Sequence, residues 1–182
     1  MNWKNITIEQ LQELASINHF DNVERRIHQI AIVNRLDIDT VEEMSLKKIL
    51  EEVEKLNFLN ELPQDKPMFA FKHLKKRYRL ITNAQEMQGR DFIALQQIKA
   101  DDIIENLHKI LAMLSYEVDI FGYRVKIPKG QVAQNFEERC EDFKTLSCSL
   151  AYSYASFFLA LYPQLLTATL DYLKEEMNNL TK

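Results

Sequence analysis

The chain has 182 residues, enough for one domain, or one domain with a helical arm, whose core needs neither metal nor disulfide. Hydrophobic residues make up 46% and charged residues 27%, which excludes a disordered chain, while three glycines and four prolines leave too few turn-formers for a many-stranded β fold. A net charge of −4 gives no reason to expect a dedicated nucleic-acid partner, and Cys140 and Cys148 alone signal neither a zinc site nor a disulfide framework, so reduced thiols are expected.

The first sixty residues repeat one device, a capping residue followed by an amphipathic run. Thr7 with Gln10 has capping-box spacing and precedes Ile8, Leu11, Leu14 and Ile17 on one helix face. Asp21 with Glu24 repeats it before Val23, Ile27, Ile30 and Ala31. Asp39 with Glu42 predicts a short helical turn, and Ser45 predicts the cap of a longer helix with a stripe of Leu46, Ile49, Leu50, Val53 and Leu56. These stripes are narrow, so each helix should lie at the surface of a bundle, with Glu42, Glu43, Glu51, Glu52 and Glu54 facing away. No apolar stretch opens the chain within 1–10, so no signal peptide is expected.

The prolines at 63 and 67 make 62–67 a connector. Beyond it, 68–74 and 77–81 flank Lys75-Lys76 and read as a β-hairpin, with Phe69, Phe71 and His73 on one face and Tyr78 and Leu80 on a face of the second strand. Helix should resume near Asn83, with Glu86 as box partner, through Phe92, Leu95 and Ile98. Asp102 with Glu105 should cap the next, whose stripe is Ile103, Leu107, Ile110, Leu111 and Leu114. A second short hairpin is predicted over 117–127, turning at Phe121-Gly122, and then Val132, Phe136, Cys140 and Phe143 recur at helical spacing.

From 145 to 170 no charged side chain occurs, a length that reaches the threshold for a membrane span. Interspersed Ser147, Ser149, Ser153, Ser156, Gln164, Thr167 and Thr169, the break at Pro163 and flanks of mixed charge argue instead for a buried helix or an oligomer interface. The predicted architecture is therefore mainly α: a bundle of about six to eight helices with one or two short β-hairpins, organised as a helical domain over 1–144 and a C-terminal apolar helix over 145–182. That helix is packed on the same domain or on a partner.

Little in the chain resembles chemistry. His19, His28, His73 and His108 lie at no metal-ligand spacing and are expected on the surface or half-buried; no phosphate loop, nucleophile motif or catalytic carboxylate pair is present. The chain reads as a non-enzyme that needs no cofactor or metal. Two features suggest binding. The 66–80 segment holds Lys66, Lys72, Lys75, Lys76, Arg77 and Arg79 without an acid, interleaved with Phe69, Phe71 and Tyr78. Three readings stay open: an edge hairpin whose lysines discourage aggregation, a patch for an acidic protein surface, including another copy's N-terminal helices, and, least favoured, a nucleic-acid clamp. The C-terminal helix alternates small Ser and Ala with large aromatics and is either core or a self-association or client face. The residues selected for protein binding are Tyr152, Tyr154, Phe157, Phe158, Leu161 and Leu165, with Lys72, Lys75, Lys76, Arg77 and Arg79 of the hairpin.

Several runs resemble a family of small proteins encoded near phage tail genes. They are Trp3-Lys4-Asn5-Ile6-Thr7-Ile8-Glu9-Gln10-Leu11, Glu42-Glu43-Met44-Ser45-Leu46 and Asn57-Phe58-Leu59. The basic Lys75-Lys76-Arg77-Tyr78-Arg79, then Glu86-Met87-Gln88-Gly89-Arg90-Asp91-Phe92-Ile93-Ala94-Leu95 and Asn106-Leu107-His108-Lys109-Ile110-Leu111-Ala112, continue the likeness. It covers the first two-thirds of the chain and weakens thereafter; the long uncharged C-terminal helix departs from the pattern. The family comprises tail assembly chaperones or baseplate-assembly proteins of tailed phages, including crAss-like and other phages of Bacteroidetes. The resemblance implies a helical protein that binds a tail component, working in the host cytoplasm during assembly, or is itself packaged in the particle; self-association is what the C-terminal helix, not the resemblance, suggests. The alternatives are a structural or cargo protein carried inside the virion and ejected into the host, or a nucleic-acid-binding regulator using the hairpin. Nucleic acid and membrane are the disfavoured partners.

Overall fold

In the computed structural model, which describes residues 1–61, 66, 68–83, 86–98 and 102–155, local capping chemistry sets the N-terminal helices. The Thr7 hydroxyl accepts from Gln10 N–H while Gln10 Oε1 accepts from Thr7 N–H, the predicted reciprocal box, and α1 runs Ile8–Ser16. Gln10 is itself buried, and its Nε2 donates to the Ile32 and Val33 carbonyls at 2.8 and 3.2 Å, tying α1 to the end of the next helix. Asp21 caps α2 (Asn22–Asn34) by accepting from the Val23 and Glu24 amides. The Asp39 expectation is corrected: Asp37 holds the N-cap position of α3 (Ile38–Glu42), and Asp39 lies in its first turn. Ser45 caps α4 (Leu46–Lys55) as predicted. The stripes are narrower than the sequence suggests, because Ile27 and Ile30 face inward while Val23 is exposed, and Ile49, Val53 and Leu56 turn towards α2 while Leu46 and Leu50 face solvent.

The predicted first hairpin forms, as β1 (Ala70–His73) and β2 (Lys76–Leu80), but it turns one residue early. Leu74 and Lys75 take φ of 45° and 69°, the positive values that a two-residue type I′ turn demands. This register sets Phe71 opposite Tyr78, ring centroids 5.3 Å apart, and places both against Phe143. Aromatic packing thus outweighs the strain of two left-handed residues that carry side chains. The expected connector at 62–67 falls, apart from Lys66, outside the described residues.

Two helices begin later than their capping signals suggest. Asn83 and Glu86 form a turn, Glu86 N–H donating to the Asn83 carbonyl, and α5 starts only at Gly89–Gln96. Asn106 donates from both its backbone and its Nδ2 to the Asp102 carbonyl, holding 102–106 in turns, and α6 is Leu107–Met113. The second hairpin is also corrected. Its first limb is β3 (Ser115–Val118), which pairs antiparallel with β2 rather than with the chain that follows, giving the sheet order β1-β2-β3. The chain does reverse at 119–123, but its return makes only the isolated Val118–Arg124 bridge. Next comes α7 (Val132–Lys144), and helix runs again through 148–155. The result is mainly α with a small antiparallel sheet.

Two adjoining cores fill this frame. The larger gathers Phe71, Tyr78 and Leu80 of the sheet, Phe143 of α7 and nearly all of α6. The smaller lies among α1, α2, α3 and α4 around Ile30, Val41 and Leu56. Residues 145–155 pack on the helical domain that precedes them. Ile8 N–H donates to the Leu146 carbonyl and Cys148 N–H to the Ile6 carbonyl, and while Cys148 packs in the smaller core, Ala151, Tyr154 and Ala155 pack in the larger. The start of the C-terminal helix thus joins both cores.

Candidate functional site

Packing α5, α6, β3 and α7 together leaves a groove of about 950 Å³, closed on one side by the extended chain at 124–127. Arg124, Val125, Lys126 and Ile127 all line that side, so charged and apolar residues alternate along it. The floor is apolar, with Ala94, Met113, Val132 and Phe136. The cations are Arg90, Lys109, Arg124, Lys126, Lys129 and Arg139, against the carboxylates of Asp91 and Glu117. Arg90 is answered by Asp91 at 3.5 Å, whereas none of the other five has an ion-pair partner among the described residues. Arg124 lies over the Tyr116 ring, 4.9 Å from its centroid, and Lys109 Nζ donates to Asn106 Oδ1.

Arg139 is the deepest of these cations. Its Nη1 donates to the Ser115 carbonyl at 3.1 Å and its guanidinium lies 6.0 Å from the centre of the Phe136 ring. Burial pushes its pKa below the ordinary arginine range, with Arg124 pushing the same way. Three buried side-chain polar atoms among the described residues have no hydrogen-bond partner, and two of them, Arg139 Nε and Ser115 Oγ, belong to residues of this groove. A desolvated cation without a close counter-charge is costly, and here Asp91 offsets that cost only at longer range.

Beside the groove, the 119–123 turn stands as a stiff apolar tip. Asp119 accepts at its carboxylate from the Phe121 and Tyr123 amides, both at 2.9 Å, and its own N–H donates to the Tyr123 carbonyl. Gly122 takes φ 85°, where a side chain would be strained. Ile120, Phe121 and Tyr123 are each more than 70% exposed on this braced loop.

The basic hairpin does not act as one patch. Lys76 turns inward to Asp142 at 3.4 Å, and Arg77 is spent on the Ile120 carbonyl at 3.2 Å, bracing the tip. Lys75 sits in the turn, and Lys72 and Arg79 are exposed on the outer face, where Arg79 stands opposite Tyr116 at the edge of the groove. On the C-terminal helix Tyr152 is half-buried. Tyr154 is buried and its hydroxyl donates to the Ile81 carbonyl at 2.6 Å, so this residue is core rather than surface. Phe157, Phe158, Leu161 and Leu165 lie outside the described residues. Sequence reasoning missed the groove cations altogether; the alternation Arg124-Val125-Lys126-Ile127, followed by Lys129, was the one local signal for them.

Burial pushes the Cys140 thiol up to about 11 and the Cys148 thiol up to about 12. His108, expected at the surface or half-buried, is buried beside Gln12, and burial, with Lys144 and Lys109, lowers its pKa to about 4. Among the described residues no cluster of His, Cys, Asp and Glu could hold a metal, and no helix is long and apolar enough to cross a membrane. The groove suits an anionic, partly apolar ligand held by charge and contact. No family model matches the chain, and no curated protein or solved structure matches it either.

Proposed function

We propose that this protein is a non-catalytic protein-binding factor whose groove receives an acidic amphipathic segment of a partner. The observation that carries this reading is the set of five cations that make no close ion pair among the described residues, Arg139 among them, arranged over an apolar floor. A helix with carboxylates beside leucine-like side chains would satisfy both halves of that surface, and the Phe121 tip would add an aromatic anchor at its rim. Single-stranded nucleic acid fits less well. Inside the groove the Tyr116 ring already carries Arg124, and the exposed aromatics Phe121 and Tyr123 stand on the tip outside it rather than along its floor.

The resemblance of the first two-thirds of the chain to tail assembly chaperones supports a narrower reading, in which the partner is a phage tail or virion protein met in the host cytoplasm during assembly. Co-expression with the tail and virion proteins encoded beside it, followed by pull-down, tests this: one of them is retained and released by salt. Retention of none of them, or a shift of DNA or RNA at low salt, would overturn it. Mass spectrometry of purified particles separates an assembly factor, which is absent, from a packaged cargo protein, which is abundant.

A further inference from the structure

We propose that the outer face of the sheet and the 119–123 tip form one surface that docks on an anionic lipid bilayer, a contact beyond the partner held in the groove.

The register of the sheet sorts the hairpin cations by face. Lys72 is the cross-strand partner of Arg77, Arg77 of Val118, and Val118 bridges to Arg124, so these four side chains form one row on one face. The next row on that face is Ala70, Arg79 and Tyr116. Lys72, Arg77, Arg79 and Arg124 are all exposed, and none makes a close ion pair among the described residues. The bond from Arg77 to the Ile120 carbonyl engages a neutral group and leaves the charge of Arg77 unanswered. Three acids lie nearby, and none pairs with these cations. Glu117 is the cross-strand partner of Tyr78 and so belongs to the opposite face. Asp119 is turned onto the Phe121 and Tyr123 amides, and Glu86 lines a pocket with Arg79 without a close ion pair to it. Like charges directly opposite each other weaken a strand pair, so Lys72 against Arg77 is a cost to the fold. A plane of lipid phosphates laid on this face would turn that repulsion into attraction.

The tip supplies the apolar half of the surface. Ile120, Phe121 and Tyr123 are 72%, 77% and 73% exposed, and Arg77 reaches the Ile120 carbonyl at 3.2 Å, so tip and cationic face are continuous. An apolar prow with cations at its base matches a bilayer surface, where the prow enters the acyl boundary and the cations meet the headgroups; no spanning helix is needed. Base stacking suits the same surface less well. The one ring in the two rows, Tyr116, lies under Arg124, and Ile120 is aliphatic.

Co-sedimentation of the full-length protein with vesicles tests the proposal, using phosphatidylcholine alone and phosphatidylcholine mixed with equal phosphatidylserine. The wild type is expected to pellet with the mixed vesicles at low salt, to bind phosphatidylcholine alone at least about tenfold more weakly, and to be released by high salt. Two variants locate the contact: K72E/R79E on the sheet face and I120S/F121S on the tip. All four positions are exposed, so both should fold, which circular dichroism checks. K72E/R79E should bind the mixed vesicles about thirtyfold more weakly or worse, and I120S/F121S about tenfold more weakly. A wild type that ignores the mixed vesicles, or vesicle binding that either variant keeps, would overturn the proposal. Binding of a single-stranded oligonucleotide through Lys72 and Arg79, with no binding to vesicles, would overturn it too. Phe121 and Arg124 border both surfaces, so K72E/R79E is the variant that separates this contact from the groove. It should lose vesicles and keep a co-expressed partner; loss of that partner as well would count against the groove, not against the bilayer.

Discussion

Arg139 donates from Nη1 to the carbonyl oxygen of Ser115 at 3.1 Å and makes no close ion pair among the described residues, Asp91 acting on its charge only at longer range. A residue kept for folding alone would not be an unpaired buried guanidinium, since an apolar side chain of similar length fills such a site at no electrostatic cost. Arg139→Met should therefore leave stability within about 1 kcal/mol of wild type while weakening partner retention about tenfold or more. Urea denaturation and quantitative pull-down measure the two quantities. A large loss of stability with binding intact would assign Arg139 to the fold instead.

The tip at 119–123 makes the same distinction from the other side. Phe121 is 77% exposed, so Phe121→Ala should change stability by no more than about 0.5 kcal/mol. As a braced aromatic at the rim of the groove it should matter to binding by about 2 kcal/mol, roughly thirtyfold. Unchanged affinity would remove the tip from the interface.

The hairpin turn stores strain that a substitution can release. Leu74 and Lys75 hold positive φ without being Gly or Asn, and Leu74 is 56% exposed, so little packing depends on it. L74N/K75G supplies the residues a type I′ turn favours and should stabilise the protein by about 1 kcal/mol, read as a higher urea midpoint. A lower midpoint would mean that the long side chains at the turn make contacts worth more than the backbone strain.

His108 gives the fold a pH dependence of defined sign. The folded imidazole takes up a proton only near pH 4, against 6.5 ordinarily, because burial opposes its charge and Lys144 and Lys109 repel it. Between those values the unfolded chain binds more protons, so this contribution is complete above about pH 6.5 and is lost as pH falls towards 4. The loss should reach about 2–3 kcal/mol. His108→Gln, which keeps an acceptor for Gln12, should flatten that part of the profile in urea denaturation at about pH 7 and pH 4.5. An identical slope in both proteins would place the acid sensitivity elsewhere.

What the sequence revealed was mostly local in origin. The Thr7–Gln10 box, the Asp21 and Ser45 caps and the Cys140–Phe143 face depend on spacings within one helix, and the structure has them. The hairpin was legible from its alternation, but its turn was not, because the position of Leu74 is decided by Phe143, far along the chain, packing edge-on against Tyr78 and tilted against Phe71. The reversal expected over 117–127 is there as the 119–123 turn and the Val118–Arg124 bridge, but the longer pairing of 115–118 is with β2, nearly forty residues earlier, which a local reading does not reach. The groove was hidden for the same reason. Its cations come from α5, α6, the 124–129 chain and α7, and no window of sequence holds them together, whereas the compact basic run at 72–79 drew notice although Lys76 and Arg77 are already engaged.

The most direct test compares three proteins in one co-expression pull-down with the proteins encoded beside this one: wild type, R124E/K126E, and K72E/K75E on the hairpin away from the groove. The groove account predicts that wild type and K72E/K75E retain the same partner and that R124E/K126E loses it. Retention by R124E/K126E alongside loss by K72E/K75E would contradict it, as would nucleic acid co-purifying in place of a protein.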